Sequence, residues 1–199
     1  MKNFILTVVL LSISLFTKAQ SIDVYYNYMY ANTHIPQGLK IPIYTSNFGY
    51  NYNFGEHKWL NYTIGLSYET KGSDYDNWRG YETDRFGYLT CKPMLNIQLP
   101  ANNIQIGPSL GFLTNIDLKP DDDFSRDMVA LARKYELGIS IIIQQQMFKY
   151  KNMSTHLRVE GNYGLTNYSG YAPIFIRKTG YIRQLTFGIG LGVRWHYKD

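Results

Sequence analysis

Polar and apolar residues alternate along much of the chain, and six charged residues all fall at the polar positions. Charged groups that share one face in this way could conduct protons or ions. The six residues are Glu69, Lys92, Glu136, Arg158, Glu160 and Arg194. Burying a charge costs free energy unless an opposite charge compensates it. If the polar positions face the interior of a small β-barrel, which is narrow and filled by side chains, the charges there require such compensation. We therefore interpret these residues as a structural network whose charges satisfy one another, with an ion path as the alternative.

A second set of residues has the types of a hydrolytic triad. Ser154, His156 and Glu160 lie on the same face of one segment, but a triad is defined by its geometry, which spacing alone does not fix. Arg158 stands between His156 and Glu160, the set points into the predicted interior, and Ser154 directly follows a short turn. We predict no catalytic site.

Candidate metal ligands are present but poorly arranged. Asp121, Asp122 and Asp123 are consecutive, so they cannot all face one cation although carboxylates suit calcium. The four histidines have no spacing typical of a metal site. Cys91 is the only cysteine, which excludes an intramolecular disulfide, and we interpret it as a small apolar residue. We predict neither a metal nor a cofactor.

An aromatic and charged segment at Gly72 to Asp84 is the best candidate for a binding surface. Tyr75, Trp78, Arg79 and Tyr81 are interleaved there with acidic residues. Loops on a rigid scaffold commonly carry function, and exposed aromatic residues with arginine are typical of partner surfaces. The equally weighted alternative is an aromatic rim that stabilises the scaffold.

The elements that position these residues are strands, because apolar residues recur at every second position. The C-terminal segment is clearest, with Leu185, Phe187, Ile189, Leu191, Val193, Trp195 and Tyr197 alternating with small or polar residues. The same pattern predicts strands at about 22–31, 41–54, 60–69, 89–99, 104–112, 135–144 and 156–166. The sequence therefore predicts eight strands. Pro93 and Pro108 fall inside two of them, where we expect local bulges.

The connections between the predicted strands alternate in length. Short ones lie near 55–57, 100–103 and 149–153, and longer ones at 32–40, 72–84, 117–134 and 167–180. Short turns on one side and long loops on the other are typical of outer-membrane barrels with both termini in the periplasm. We predict an all-β fold, a single eight-stranded antiparallel up-and-down transmembrane β-barrel.

Residues 1–20 have the order of a cleaved secretory signal peptide, with Lys2, an apolar run from Phe4 to Phe16, and small residues at Thr17 and Ala19. The predicted mature domain is 21–199. Of the 20 basic residues, Lys2 and Lys18 belong to the signal, which leaves 18 against 15 acidic ones and a net charge of +3. This balance and the lack of a basic run argue against a nucleic-acid partner.

A soluble lipocalin-like barrel is the rival fold, with its apolar face turned inward. Its outer face would be rich in Lys and Glu, whereas the second face of these segments consists of Gly, Ser, Thr and Asn with scattered charges. Small residues suit the interior of a narrow membrane barrel. We therefore predict that the apolar face contacts lipid in a bacterial outer membrane.

Several short motifs resemble those of the PorT-like outer-membrane β-barrel proteins from about Leu60 onward. They are Tyr68 to Gly72, Tyr88 to Pro93, Ile106 to Gly111 and Leu157 to Asn167. The segment from Gly192 to Tyr197 also resembles the C-terminal signal of outer-membrane proteins. The resemblance implies eight strands and an outer-membrane location. Some members of this family serve the type IX secretion and gliding apparatus, but the resemblance does not imply one activity.

The function predicted from these observations is that of a structural or interaction protein that presents extracellular loops, with a link to secretion or envelope assembly. We expect it to be a monomeric barrel that contacts outer-membrane lipid and an envelope protein partner. The alternative, from another class, is an outer-membrane enzyme that modifies lipid A.

Overall fold

The computed structural model describes residues 20–34, 40–41, 43–55, 59–77, 80–100, 102–119, 134–166 and 183–197. The predicted signal peptide lies outside these residues except for Gln20. The main strands are β1 Ser21–His34, β2 Ile43–Phe54, β3 Leu60–Asn77, β4 Gly80–Gln98, β5 Asn102–Lys119, β6 Tyr135–Tyr150, β7 Met153–Gly164 and β8 Arg183–His196. A two-residue segment, Lys40–Ile41, precedes β2 and pairs with β3.

These strands close into an antiparallel barrel, which confirms the predicted fold. Every strand pairs with the one that follows it, and β1 pairs with β8 from Ser21 opposite His196 to His34 opposite Arg183. Closure leaves no free sheet edge along the wall, so the backbone donors and acceptors there are satisfied within the barrel. No helix among the described residues is long and apolar enough to cross a membrane.

The two faces of the barrel differ as the alternating sequence predicts. Along β6, Leu137, Ile139 and Ile141 are exposed on the outside, while Glu136 and Ser140 are buried in the lumen. The same alternation holds on β8, whose outer residues from Leu185 to Trp195 are all apolar and exposed. The polar face therefore lines the interior, and the lipocalin-like alternative is wrong.

The two ends of the barrel are unequal. We call the end with the short connections 55–59, 99–101 and 151–152 the turn end, and the opposite end the loop end. The first residues of β1 and the last residues of β8 lie at the turn end. There the Tyr197 amide donates to the Gln20 carbonyl (2.9 Å). The first and last described residues therefore meet at one rim.

The segment predicted as a loop at Gly72 to Asp84 is instead the outer part of a β-hairpin. β3 and β4 stay paired without interruption from Leu60 opposite Ile97 to Asn77 opposite Gly80. Only residues 78–79 separate the two strands. The loop prediction was therefore wrong. It was based on the lack of apolar alternation in this segment, but the backbone continues the ladder.

Pro93 and Pro108 face one another across β4 and β5. The ladder between these strands is paired at Cys91 opposite Leu110 and again at Leu95 opposite Ile106, with no pairing between them. Proline lacks an amide donor, so the two prolines lie in the same unpaired stretch of the ladder. The expected separate bulges are therefore wrong, and the bulge between these strands lies at Gly87/Tyr88.

Candidate functional site

The inward side chains of β3, β4 and β7 meet in the lumen around Lys92. Its ammonium group contacts both Glu69 and Glu160. Lys92 and Glu160 have no solvent-exposed side-chain area, and such groups are stable in the interior only when paired and hydrogen-bonded. Lys92 thus joins carboxylates from two strands that are not neighbours in the wall.

Glu160 is the most heavily used acceptor of this cluster. It accepts from Arg158 Nη2 (2.9 Å) and from Asn27 Nδ2 (2.8 Å) in addition to Lys92. The Arg158 guanidinium also lies 3.7 Å from the ring centre of Tyr25, a distance suited to a cation–π contact. Residues of β1 therefore complete the environment of the β7 pair.

Gly188 and Gly190 lie on β8 opposite the buried charged pair of β7, with Arg158 facing Gly190 and Glu160 facing Gly188. A Cβ atom at Gly190 would come within 2.0 Å of the Tyr26 carbonyl oxygen, and one at Gly188 within 2.0 Å of the Met29 sulfur. These glycines therefore allow β1 to approach β8 closely.

Lys71 extends the cluster towards the loop end. Its ammonium nitrogen lies 3.2 Å from Glu69 Oε2 and 3.0 Å from Glu136 Oε2. The sequence analysis did not single out Lys71, although it shares the inward parity of Glu69. Five of the six residues predicted as a lumen network therefore lie in one chain of contacts, with Lys71 as an unpredicted link.

Arg194 is separate from that cluster. Its Nη2 donates to Asp23 Oδ2 (2.9 Å) and to Gln144 Oε1 (2.8 Å). The register separates Arg194 from Glu160 along the barrel, since it places Arg194 opposite Ser154 and Glu160 opposite Gly188. The sequence analysis missed Asp23. Its position between the apolar residues Ile22 and Val24 was the signal, but the strand has weaker alternation than the others.

The buried charges of the described residues balance. Asp23, Glu69, Glu136 and Glu160 are matched by Lys71, Lys92, Arg158 and Arg194. Each belongs to one of the two paired groups, so the lumen carries no net charge from them when all are ionised. This arrangement fills the interior with fixed, mutually neutralising side chains.

Ser154 and His156 form a hydrogen bond at the turn end, with 2.8 Å between Ser154 Oγ and His156 Nε2. The Ser154 hydroxyl also lies 3.4 Å from His196 Nε2. His156 Nδ1 is buried without a hydrogen-bond partner, whereas a triad requires an acid at that nitrogen. Glu160 is held by Lys92 and Arg158, so the three residues do not form a triad.

The other candidate residues divide between described and undescribed parts of the chain. Trp78, Arg79, His57 and Asp121 to Asp123 lie outside the described residues. Among the residues that are described, no group of three or more His, Cys, Asp or Glu side chains could hold a metal ion. The register pairs Tyr75 with Glu82 and Tyr81 with Asp76.

Comparisons with known structures find the same barrel fold. No family model and no curated protein matches the sequence. The outer membrane protein AlkL superposes with a TM-score of 0.53 at 9% identity, over 92% of each chain. OprG from Pseudomonas aeruginosa gives 0.51 at 9% identity, over 90% of this chain and 97% of its own. Neisserial surface protein A gives 0.51 at 7% identity, over 89% of this chain and 96% of its own.

The chain is an outer-membrane β-barrel. At such low identities the likeness shows the fold alone, and the apolar outer surface gives the physical reason for the location. An outward belt of Leu, Ile, Val and Phe is stable in hydrocarbon and unfavourable in water. This outer-membrane barrel therefore contacts lipid with one face of its sheet and keeps its charges on the other.

Proposed function

We propose that this outer-membrane barrel is a non-enzymatic member of the PorT-like group that binds an envelope partner through its β3–β4 hairpin. The observation that carries the proposal is the uninterrupted pairing of these strands to Asn77 opposite Gly80. A membrane-spanning strand needs about 9–11 residues, whereas β3 has 18 and β4 has 19. At ~3.3 Å per residue, the hairpin extends roughly 25 Å beyond the span.

The loop end faces the cell exterior in this proposal, because barrels of this kind have short periplasmic turns and longer outer loops. The hairpin is then an outward extension of the wall, supported by β5 up to Lys119 opposite Thr83, and Trp78 and Arg79 are the residues between its two strands in the sequence. Aromatic and arginine residues are enriched at the centres of protein interfaces.

The filled lumen supports a binding role over conduction. Lys92, Glu69 and Glu160 connect β3, β4 and β7 across the interior. Moving an ion past them would require breaking buried pairs, which costs several kcal/mol. We therefore assign the interior to structure and the hairpin to recognition.

Photo-crosslinking from the hairpin tip tests the proposal. A photoreactive residue in place of Trp78 should give a discrete adduct in intact cells, and the same residue in place of Asn152 in the 151–152 turn should not give it. A second variant replaces residues 73–84 by an Asn-Gly turn that joins Gly72 to Arg85. It should retain a folded barrel and lose the partner. A partner that binds this shortened barrel equally well would contradict the proposal.

The alternative of a lipid A-modifying enzyme has one specific observation in its favour, the hydrogen bond between Ser154 and His156. Both residues lie in the lumen at the turn end, away from the outer leaflet in the proposed orientation. Mass spectrometry of lipid A from cells with the wild-type chain and with Ser154→Ala separates the two functions. A changed acylation pattern would favour the enzyme.

A further inference from the structure

A groove of about 310 Å³ crosses the outer surface of the barrel at the turn end. Its floor is formed by Ile22 and Val24 of β1, and its walls by Tyr50 and Tyr52 of β2 on one side and Val193 and Trp195 of β8 on the other. The groove therefore lies on the strand pair β8–β1, which closes the barrel.

The register explains why a groove forms here. Val24 stands between Tyr50 and Val193, and Ile22 between Tyr52 and Trp195. Short aliphatic side chains thus form the middle row, with the rings of Tyr50 and Tyr52 on one neighbouring strand and Val193 and Trp195 on the other. Tyr52 packs onto Ile22 and both are buried, whereas Val24 remains 51% exposed. The open part of the groove is centred on Val24.

The chemistry of the groove changes along its length. Trp195 and Tyr197 line the end nearest the rim, and such amphipathic rings are typical of the head-group level of a membrane. From there the lining continues along Val193 and Val24 into the apolar belt. Since β1 separates β2 from β8, the two walls are about 10 Å apart, which leaves the width of one hydrocarbon chain once the side chains are in place.

We propose that this groove binds one acyl chain of a phospholipid from the leaflet at the turn end, with its head group beside Trp195 and Tyr197. The lining offers apolar contact along the chain, and Trp195 and Tyr197 supply aromatic polar groups where the head group would lie. A chain held there would contact β2, β1 and β8 together. The lipid would therefore stabilise the β1–β8 pair that closes the barrel, because a ligand that binds only the folded state stabilises it.

The test is native mass spectrometry of the folded mature protein with added palmitoyl-oleoyl phosphatidylethanolamine in a mild detergent. We expect one lipid retained per barrel. Val24→Trp fills the floor and should lower the retained fraction at least tenfold. Val159→Trp makes the same change on the outer face of β7 and should leave retention unchanged. Bound lipid should also raise the temperature at which the folded gel band is lost, in the wild type and Val159→Trp only.

Tyr50→Ala provides a second variant if Val24→Trp does not fold, since it removes one wall without filling the floor. It should also lower retention. Equal retention by the groove and control variants, no lipid at one-to-one stoichiometry, or a second protein on this face in place of lipid would each overturn the proposal.

Discussion

Glu160 neutralises two cations, Lys92 and Arg158, inside the lumen. Glu160→Gln keeps the shape of the side chain but leaves positive charge without its partner. Removing one member of a buried pair costs about 3–5 kcal/mol. We expect the folded band of this variant to disappear at a lower temperature on a denaturing gel. Adding Arg158→Gln should recover part of the loss, whereas unchanged stability with loss of a cellular phenotype would make Glu160 a functional residue.

The separation of the two charged groups gives a sharper test. Asp23 and Arg194 are in direct contact, with 2.9 Å between Arg194 Nη2 and Asp23 Oδ2. Asp23→Asn and Arg194→Gln should therefore be strongly non-additive in the free energy of unfolding. Contacting residues typically show interaction energies of about 0.5–3 kcal/mol, and distant ones add within about 0.5.

Glu160→Gln combined with Arg194→Gln is the matched comparison, and its effects should add. Denaturant unfolding of the three single and two double variants in detergent measures both cycles. Strong coupling between Glu160 and Arg194 would show that the register of β7 and β8 differs from the one described.

The sequence predicted which face the charged residues share, because the period-two alternation determines on which side of a strand each side chain lies. It did not predict the pairs. Partners depend on the stagger between strands, and β7 and β8 are joined by a connection too long to set their register. Asp23 and Lys71 escaped notice for related reasons, since each lies outside the most regular stretch of its strand.

At the scale of strands, the close approach of β8 to β1 depends on Gly190. A Cβ there would lie 2.0 Å from the Tyr26 carbonyl oxygen, a backbone atom that cannot rotate away. Gly190→Ala should destabilise the barrel by about 1–3 kcal/mol, the usual cost of overpacking. Gly161→Ala is the control, because a Cβ there meets nothing within 4 Å.

Gly161→Ala should be neutral or stabilising by up to about 1 kcal/mol, since glycine weakens a strand interior. Urea unfolding midpoints of the two variants provide the comparison. Equal midpoints would mean that β8 and β1 are not as close as described.

Tags report which end of the barrel faces outward. An epitope between Trp78 and Arg79 should bind antibody on intact cells, and one between Lys151 and Asn152 should not. Both tags should react after the outer membrane is permeabilised. The reverse pattern would place the hairpin in the periplasm and remove its proposed partner-binding role.

The sequence predicted the wall strands well and the hairpin poorly, and the membrane explains both results. Lipid on one side and a polar lumen on the other impose alternation, which makes residues such as Ile139 and Ser140 easy to assign. Beyond the membrane neither face of a strand must be apolar. Ser73 to Asn77 therefore have a loop-like composition although their backbone is paired.

At the scale of the whole molecule, a closed ladder should resist detergent. The mature protein should fractionate with the outer membrane and migrate differently on a denaturing gel before and after boiling. The unboiled protein should migrate differently because the β1–β8 pairing persists in detergent at room temperature. Recovery in the soluble periplasmic fraction, with one mobility, would contradict the fold.

The β3–β4 hairpin also has a mechanical consequence. Its two strands are continuous with the wall that holds Glu69 and Lys92. Its outer part is supported on one side by β5, up to Thr83 opposite Lys119, and on the other by Lys40–Ile41 opposite Tyr75 and Asp74. A sideways force on the outer end of these strands is therefore shared with both neighbouring ladders before it reaches the ionic contacts of Glu69 and Lys92.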